Sequence, residues 1–167
     1  MRFALASAAI VAPLVFLTAC DEFDFGNIEQ FKEDFHLTYP LAPGGRVSLE
    51  NLNGSVEISS WEKDSVEING TKYAHSQPAL KDIKIDVSAT PGVIQVRTVP
   101  ALGIRNMGAR YSIRVPRRVQ LDRIVTSNGG IRIDDIEGMV SARSSNGTIR
   151  LWHLKGCLLY TSDAADE

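Results

Sequence analysis

Histidines and paired carboxylates are the side chains of this 167-residue chain that would do acid–base or metal chemistry. The three histidines, His36, His75 and His153, lie in different segments, and none has another histidine or a cysteine at metal-ligand spacing. We expect them on the surface or in turns. The chain also lacks the nucleophile elbow of serine hydrolases, the phosphate-binding P-loop and the zinc-binding H-E-x-x-H motif. The sequence therefore predicts a protein that is not an enzyme and that has no cofactor or metal site.

The neighbouring carboxylates Asp134 and Asp135 are the strongest remaining candidates for chemistry. Two acids in a β-rich chain can form the acid pair of a glycoside hydrolase or bind calcium. Eighteen residues later, at the equivalent positions of a repeat described below, the chain has Trp152 and His153 instead. Because the acids do not recur from one repeat to the next, we interpret them as solvated turn residues.

The first twenty residues have the composition of an export signal. Arg2 precedes an apolar run over residues 3–17, and small residues then lead to Cys20. The run is shorter than the roughly 20 residues of a membrane-spanning helix, and Pro13 interrupts it. The sequence LTAC that ends at Cys20 resembles the bacterial lipobox, which implies cleavage before Cys20 and acylation of its thiol. Several acyl chains would then anchor the protein to a membrane, because each buried methylene contributes about 0.8 kcal/mol.

Charge is distributed unevenly along the chain, although the net charge is only −2. Residues 21–96 carry 13 acidic and 6 basic side chains, whereas residues 97–156 carry 4 acidic and 11 basic ones. Arg132 and Arg150 occupy equivalent positions of the repeat, and Arg114 lies in a similar alternating segment. We predict an arginine stripe on one outer face that binds an anionic envelope polymer or lipid headgroups. The alternative is that these arginines pair with the acidic half or are only solvated.

Short strands must position these side chains, because the chain after residue 35 is a series of brief segments in which apolar and polar residues alternate. Asn-Gly and Pro-Gly pairs separate the segments, and they are typical of turns because Asn and Gly tolerate positive φ. No long helix is indicated. The predicted strands cover residues 46–49, 55–58, 65–68, 81–87, 93–96, 111–115, 131–133 and 149–151.

Two of these segments are copies of one another. The sequence SNGGIRI at 127–133 recurs eighteen residues later as SNGTIRL, and NGSVEI at 53–58 is a degenerate copy. Units this short bury little apolar surface alone, so they must stack on neighbours. The sequence predicts an all-β protein, a β-solenoid of single-strand coils with an asparagine ladder at one corner and an aliphatic ladder inside. The ladder residues are Asn128, Gly129, Ile131, Ile133, Asn146, Gly147, Ile149 and Leu151. The alternative is a β-sandwich of hairpins, because Asn-Gly also suits two-residue hairpin turns.

The last eleven residues, CLLYTSDAADE, have no relation to the repeat. Their codons can be those of the transposase end and read adapter of a sequencing library, so we interpret residues 157–167 as a non-native tail and the repeat domain as truncated. The remaining boundaries are a signal peptide at 1–19, a lipidated cysteine and acidic tether at 20–35, and the repeat domain at 36–156. Without Cys157 only Cys20 is left, so no disulfide within the chain is expected.

Three motifs together support a family resemblance. They are residues 51–58 with Trp61, residues 111–116 before the repeats, and the two Ser-Asn-Gly units. In these the chain resembles the bacterial putative-adhesin family of β-strand repeats known as domain of unknown function 4097, over residues 35–156. The resemblance implies surface attachment and a longer domain, and it implies no catalytic or ligand residues.

The sequence thus favours an exported, lipid-anchored binding or structural module of the cell envelope. Asp21 after the cysteine retains lipoproteins in the inner membrane of some enteric bacteria, but the membrane is left open. We exclude nucleic acid as a partner because it is rare outside the cytoplasm. Two other functions remain as alternatives: an accessory regulator of an envelope-stress sensor or anti-sigma system, and a carbohydrate-active β-helix enzyme with its carboxylates further along the chain.

Overall fold

The computed structural model describes residues 31–99 and 107–162. Within these ranges the chain forms twelve strands and one short helix. In chain order they are β1 (Phe31–Pro40), β2 (Arg46–Asn53), β3 (Val56–Trp61), β4 (Ser65–Ala74), α1 (Gln77–Asp82), β5 (Lys84–Thr90), β6 (Val93–Val99), β7 (Gly108–Pro116), β8 (Gln120–Asn128), β9 (Ile131–Asp134), β10 (Val140–Asn146), β11 (Ile149–Trp152) and β12 (Leu158–Ser162). The all-β prediction is confirmed.

The strands form two six-stranded mixed sheets. Sheet A has the order β1-β4-β7-β3-β9-β11, and sheet B has the order β5-β6-β2-β8-β10-β12. Three segments that are neighbours in the sheets, β2–β3, β8–β9 and β10–β11, each run from sheet B through an Asn-Gly corner into sheet A. Their strands are parallel to those of the neighbouring unit in both sheets. The eighteen-residue repeat is therefore a two-strand unit, one strand in each sheet.

This arrangement corrects the predicted single-strand coil. Each eighteen-residue unit has room for two strands, because its strand in sheet A is only four residues long and a sharp corner connects it to the strand in sheet B. The prediction assumed one strand per unit. The structure is also not a uniform solenoid. At the end of the sheets that contains β1 and β5, the strands β1, β4 and β5 pair antiparallel with their neighbours. Two facing sheets are compatible with the alternative prediction of a β-sandwich, although in the repeat units parallel stacking replaces the predicted hairpins.

The core lies between the two sheets and follows the period-two alternation of the strands. In β7 every second residue is buried, including Tyr111, Ile113 and Val115. A smaller apolar cluster at one end contains the buried Leu80 of α1 and Met107. α1 begins at the N-cap Ser76, whose hydroxyl accepts a hydrogen bond from the Ala79 N–H.

Both boundaries of the predicted repeat domain differ from those of the strands. β1 begins at Phe31, so residues 31–35 of the predicted tether lie in a strand, and the Phe35 ring packs edge-on against Tyr111 at 5.7 Å. Residues 158–162 of the predicted tail form β12, in parallel register with β10. Cys157 is exposed and free. The non-native origin of residues 157–167 stays a prediction.

Candidate binding face

The Asn-Gly corners of the three two-strand units stack directly on one another. The strand register pairs Asn128 with Asn53 and Asn146 with Asn128. The side-chain amide of Asn128 donates to the Asn53 Oδ1 at 2.6 Å, and that of Asn146 donates to the Asn128 Oδ1 at 2.9 Å. At the far end, the Asn53 amide donates to the Met107 carbonyl. The asparagines thus form a continuous amide ladder across the corner.

The aliphatic residues that follow each corner are paired in the same register. Ile149 lies opposite Ile131, and Leu151 lies opposite Ile133, with Val56 and Ile58 on the other side of the Ile131 strand. Ile131 and Ile133 are fully buried because strands cover them on both sides. Ile149 and Leu151 are half-buried because β11 is the last strand of sheet A in the described part of the chain.

Close approach of backbones explains the glycines of the corners. A Cβ on Gly147 would lie 2.1 Å from the Gly129 carbonyl oxygen, and one on Gly129 would lie 2.2 Å from that of Gly54. The sequence interpretation, that Asn and Gly are there for positive φ, holds for neither Asn128 nor Asn146, since neither has positive φ. Stacking at the strand spacing of about 4.8 Å is what leaves no space for a side chain.

A second, buried polar ladder lies two residues before each corner asparagine. Asn51, Thr126 and Ser144 are paired across β2, β8 and β10, and all three are buried. The Thr126 hydroxyl donates to the Gly54 carbonyl at 3.2 Å, and the Ser144 hydroxyl donates to the Gly129 carbonyl at 2.9 Å. The sequence analysis missed this ladder. Its signal is a short polar residue at an inward position of an otherwise apolar strand face.

Outside the core, the outer face of sheet A carries two polar rows that cross all six strands. The first row contains His36, Asn69, Ser112, Glu57, Arg132 and Arg150, one from each strand in sheet order. The second row contains Asp34, Thr71 and Arg110, two residues away along β1, β4 and β7, and continues with the corner residues Ser55, Gly130 and Thr148 just before β3, β9 and β11. Alternation therefore gives this face a polar surface opposite the apolar core face.

The predicted arginine stripe is only partly assembled on this face. Arg132 and Arg150 lie directly opposite each other on β9 and β11. Arg114 lies two strands away from Arg132 and one row over, and its guanidinium is 3.3 Å from the Glu67 carboxylate. Arg114 is thus already neutralised by the acidic half of the chain, as the alternative prediction held, and it does not join the other two.

Arginine pairing with the acidic half extends to the other sheet. The Glu50 carboxylate contacts the guanidinium groups of both Arg97 and Arg123 at 3.1 Å. These contacts form because β2–β3, from the acidic half, lies in the sheets between β6–β7 and β8–β9. The charge asymmetry along the sequence is therefore largely mixed in space.

Three aromatic residues on the outer face of sheet A are each covered by an arginine. The guanidinium carbons of Arg110, Arg114 and Arg132 lie 4.9, 5.2 and 5.1 Å from the ring centroids of Tyr73, Trp61 and Trp152. Such stacking holds a guanidinium flat and leaves its N–H edge available for hydrogen bonds. The side chains of Arg132 and Arg150 are exposed and form no ion pair with a described residue, although Glu57 lies opposite Arg132 on β3.

Two grooves follow the polar rows. A groove of about 570 Å³ crosses β1, β4, β7 and β3, and its lining includes Asp34, His36, Asn69 and Ser112. A groove of about 310 Å³ crosses β3, β9 and β11, and its lining includes Arg132 and Arg150. Ser55 and Glu57 line both grooves, so the two grooves adjoin on the outer face of sheet A, and we call them together the furrow.

Asp134 and Asp135, the sequence candidates for acid–base or calcium chemistry, both contact neighbouring side chains. Asp135 accepts a hydrogen bond from the Ser60 hydroxyl at 2.6 Å and lies 2.7 Å from the guanidinium of Arg117. Asp134 contacts the His153 ring at 2.7 Å. Both carboxylates are therefore paired rather than simply solvated, and Asp134 is the last residue of β9 rather than part of a turn. The described residues contain no group of three or more His, Cys, Asp or Glu side chains placed to hold a metal ion.

Two ionisable groups near the furrow have shifted pKa values. A hydrogen bond from the Asn69 amide to Glu67, supported by the charge of Arg114, lowers the pKa of Glu67 and keeps it ionised. Beneath the furrow, burial raises the pKa of Tyr111 to about 12, against the smaller opposing effect of its hydrogen bond with Thr98.

The remaining predictions concern the anchor. Cys20, the signal peptide and residues 20–30 of the tether lie outside the described residues. In the described ranges no helix has the length and apolarity that crossing a membrane would require.

The histidines are on the surface as predicted, with His36 and His153 side chains 60% and 76% exposed.

Comparisons with known proteins give a distant likeness. No protein-family model matches the chain, and no curated protein sequence matches it. Two solved structures are similar at a low level. One is a "putative cell adhesion protein" from Clostridium sporogenes, 9% identical with a TM-score of 0.35, over 78% of this chain and 100% of that chain. The other is a "putative adhesin" from Bacteroides fragilis, 8% identical with a TM-score of 0.35, over 78% of this chain and 96% of that chain. At these TM-scores the likeness carries no argument about function, and the resemblance to domain of unknown function 4097 stays a prediction.

Proposed function

We propose that this chain is a non-enzymatic binding module of the bacterial cell envelope, held at a membrane by a lipid on Cys20, and that it binds an anionic envelope polymer. The proposed role is that of an adhesin-like protein. The sequence motifs for export, acylation and the putative-adhesin resemblance support this proposal. The geometry of the outer face of sheet A also supports it.

The observation that carries the proposal is the pair of guanidinium groups on Arg132 and Arg150. Like charges directly opposite on adjacent strands destabilise a sheet. Glu57 lies opposite Arg132 on the other side, on β3, but forms no ion pair with it, and Arg150 has no carboxylate opposite it among the described strands. An anionic group that binds both guanidiniums relieves this repulsion and gains charge-assisted hydrogen bonds. Arginine is suited to this role because its planar fork matches carboxylates and phosphates.

The stacked two-strand units supply a rigid scaffold for this pair. Hydrogen bonds of the corner ladder and of the parallel strands hold β9 and β11 in fixed register. We propose that the units act as a solenoid-like stack, in which successive repeats present equivalent side chains at the strand spacing of about 4.8 Å. A repeating polymer is the ligand that best uses such a surface.

Binding is tested on the full chain with polygalacturonate, a carboxylate polymer, by biolayer interferometry. Arg150→Glu is expected to weaken binding by about tenfold, which corresponds to about 1.4 kcal/mol. The matched control is Lys84→Glu, which makes the same change of charge on the exposed edge of sheet B. Equal affinities of Arg150→Glu and the unchanged chain would overturn the proposal, and neutral dextran measures binding that does not depend on charge.

Lipidation is tested separately by expression in a bacterial host supplied with labelled palmitate. The full chain is expected to incorporate label and to sediment with membranes. Cys20→Ser is expected to lose both properties. Labelling that persists in Cys20→Ser would show that the anchor proposal is wrong, without affecting the binding measurement.

A further inference from the structure

The furrow on sheet A is longer than the arginine pair needs. It runs at right angles to the strands from β1 to β11, which is five strand spacings or roughly 24 Å. The side chains of the two polar rows lie next to each other along its floor. A ligand of a single small anion would occupy only the end at Arg132 and Arg150.

Short polar side chains line the furrow, among them Ser55, Ser112, Asn69 and Thr71. They follow one another from strand to strand in sheet A, so the polar contacts extend across the strands rather than along them. An elongated ligand that uses these contacts must therefore lie across the sheet.

The chemistry changes along the furrow. At the β9–β11 end the two arginines offer only donors and positive charge. In the middle, the hydroxyls of Ser55 and Ser112 and the carboxylate of Glu57 offer donors and acceptors, and Glu57 has no hydrogen bond or ion pair with any described residue. At the β1 end, the Asp34 carboxylate accepts from the Thr71 hydroxyl at 2.6 Å. Hydroxyl groups, which donate and accept, suit the middle and the β1 end, whereas an acidic group suits the β11 end.

We propose that the furrow holds a linear acidic polysaccharide laid across sheet A. An acidic group of the polymer binds Arg132 and Arg150, and sugar hydroxyls contact Glu57, Ser112 and Asn69 towards β1. At these other sugars the hydroxyl edge faces the sheet and any carboxylate faces solvent, away from Glu57 and Asp34. The inference rests on the proposed function and adds to it the ligand class, the ligand's direction and a length requirement. Charge complementarity at one end and hydroxyl-binding side chains along the rest are the two features that specify a sugar polymer rather than a simple polyanion.

Ligand length separates this inference from the proposed function. The probes are galacturonic acid monomer, polygalacturonate, neutral dextran and inorganic polyphosphate, each titrated against the full chain. Polygalacturonate is expected to bind at least tenfold more tightly per binding site than the monomer, because it contacts the whole furrow. Polyphosphate, which lacks sugar hydroxyls, is expected to bind more weakly than polygalacturonate.

The variant that blocks the furrow is Ser112→Trp, at an exposed position in the centre of sheet A. Tryptophan is well tolerated in strands, so the change adds bulk to the furrow without opposing the fold. Affinity for polygalacturonate is expected to fall about tenfold, whereas the monomer, which reaches only the arginine end, should lose less than twofold. The matched control is Gln95→Trp, which adds the same bulk to an exposed position of sheet B and should leave both affinities unchanged.

The outcomes separate the two proposals. If Arg150→Glu weakens polygalacturonate binding but Ser112→Trp does not, the arginine pair binds anions and the furrow inference is wrong. Polyphosphate binding as tight as polygalacturonate binding would also overturn the inference, because hydroxyl contacts would then contribute nothing. If neither variant changes binding, the proposed function fails together with the inference. Circular dichroism of each variant verifies that the fold is kept.

Discussion

The hydroxyl groups of Thr98 and Tyr111 lie 2.6 Å apart in the buried space between the two sheets. Thr98 belongs to β6 of sheet B and Tyr111 to β7 of sheet A, so this hydrogen bond joins the two layers where both residues are almost completely buried. A buried hydroxyl without a partner costs about 1–3 kcal/mol, so each residue satisfies the other. Tyr111 also contacts the Phe35 ring from β1. The pair therefore links three strands beneath the furrow.

Burial of Tyr111 makes stability fall at alkaline pH. The folded pKa is about 12 and the usual value is 10.0, so below pH 10 the hydroxyl is neutral in both states and its contribution is fully present. As the pH rises from about 10 towards 12, the unfolded chain ionises first, and the free energy of unfolding should fall by about 3 kcal/mol.

Urea unfolding at several pH values measures this loss. In Tyr111→Phe the part of the loss that belongs to Tyr111 should disappear, although the variant is less stable at neutral pH because Thr98 loses its partner. Tyr39→Phe, a change on the edge strand β1, controls for the alkaline sensitivity of the rest of the chain. An unchanged alkaline slope in Tyr111→Phe would contradict the prediction.

The corner ladder predicts unequal effects of two alanine substitutions. Asn128 is the middle rung and takes part in two amide hydrogen bonds, whereas Asn146 takes part in one. At roughly 0.5 kcal/mol per exposed hydrogen bond, Asn128→Ala should cost about 1 kcal/mol and Asn146→Ala about half of that. Urea unfolding at neutral pH measures both. Asn128→Asp is the sharper variant, because a carboxylate can accept from Asn146 but cannot donate to Asn53.

The buried ladder is tested at Thr126, whose hydroxyl donates to the Gly54 carbonyl. Thr126→Val keeps the shape but removes the donor, and we expect a loss of about 1–2 kcal/mol in the free energy of unfolding. Thr126→Ser keeps the donor and removes a methyl group, so it should cost less than Thr126→Val. The reverse order would mean that packing, and not the hydrogen bond, maintains this position.

Gly70 provides the space that lets Phe35 reach Tyr111. An added Cβ would lie 2.2 Å from the Phe35 ring and 2.7 Å from the Arg110 carbonyl oxygen. Gly70→Ala should therefore destabilise the fold by about 1–3 kcal/mol, the usual cost of overpacking. In a double-mutant cycle, Phe35→Leu should recover part of this loss, because a smaller side chain clears the first clash but not the second. Additive effects of the two changes would show that the ring does not depend on Gly70.

Local features of this fold follow from the sequence alone. The alternation in segments such as residues 111–115 predicts strands with one buried face, and the eighteen-residue spacing predicts that the segments stack, which pairs Asn146 with Asn128 and Ile149 with Ile131. These predictions succeed because they depend on the period of a strand and on chemical identity between copies. The number of strands per repeat is not specified in the same way. Eighteen residues accommodate either one strand followed by a long connecting loop or two strands joined by sharp corners. Only packing against the facing sheet favours the two-strand arrangement.

The tertiary structure decided which charges remain without a partner. By sequence, Arg114 is equivalent in type to Arg132 and Arg150, and nothing near it in the chain distinguishes it. In the fold, β4 places Glu67 beside Arg114, whereas β9 and β11 bring Arg132 and Arg150 together. The sequence by itself determined an all-β chain of stacked repeats, with an arginine at the same position of the two clearest copies. Pairing between strands that are distant in the chain depends on how the units are ordered in the sheets. That order places Arg114 beside Glu67 and places Arg132 and Arg150 beside each other on the furrow.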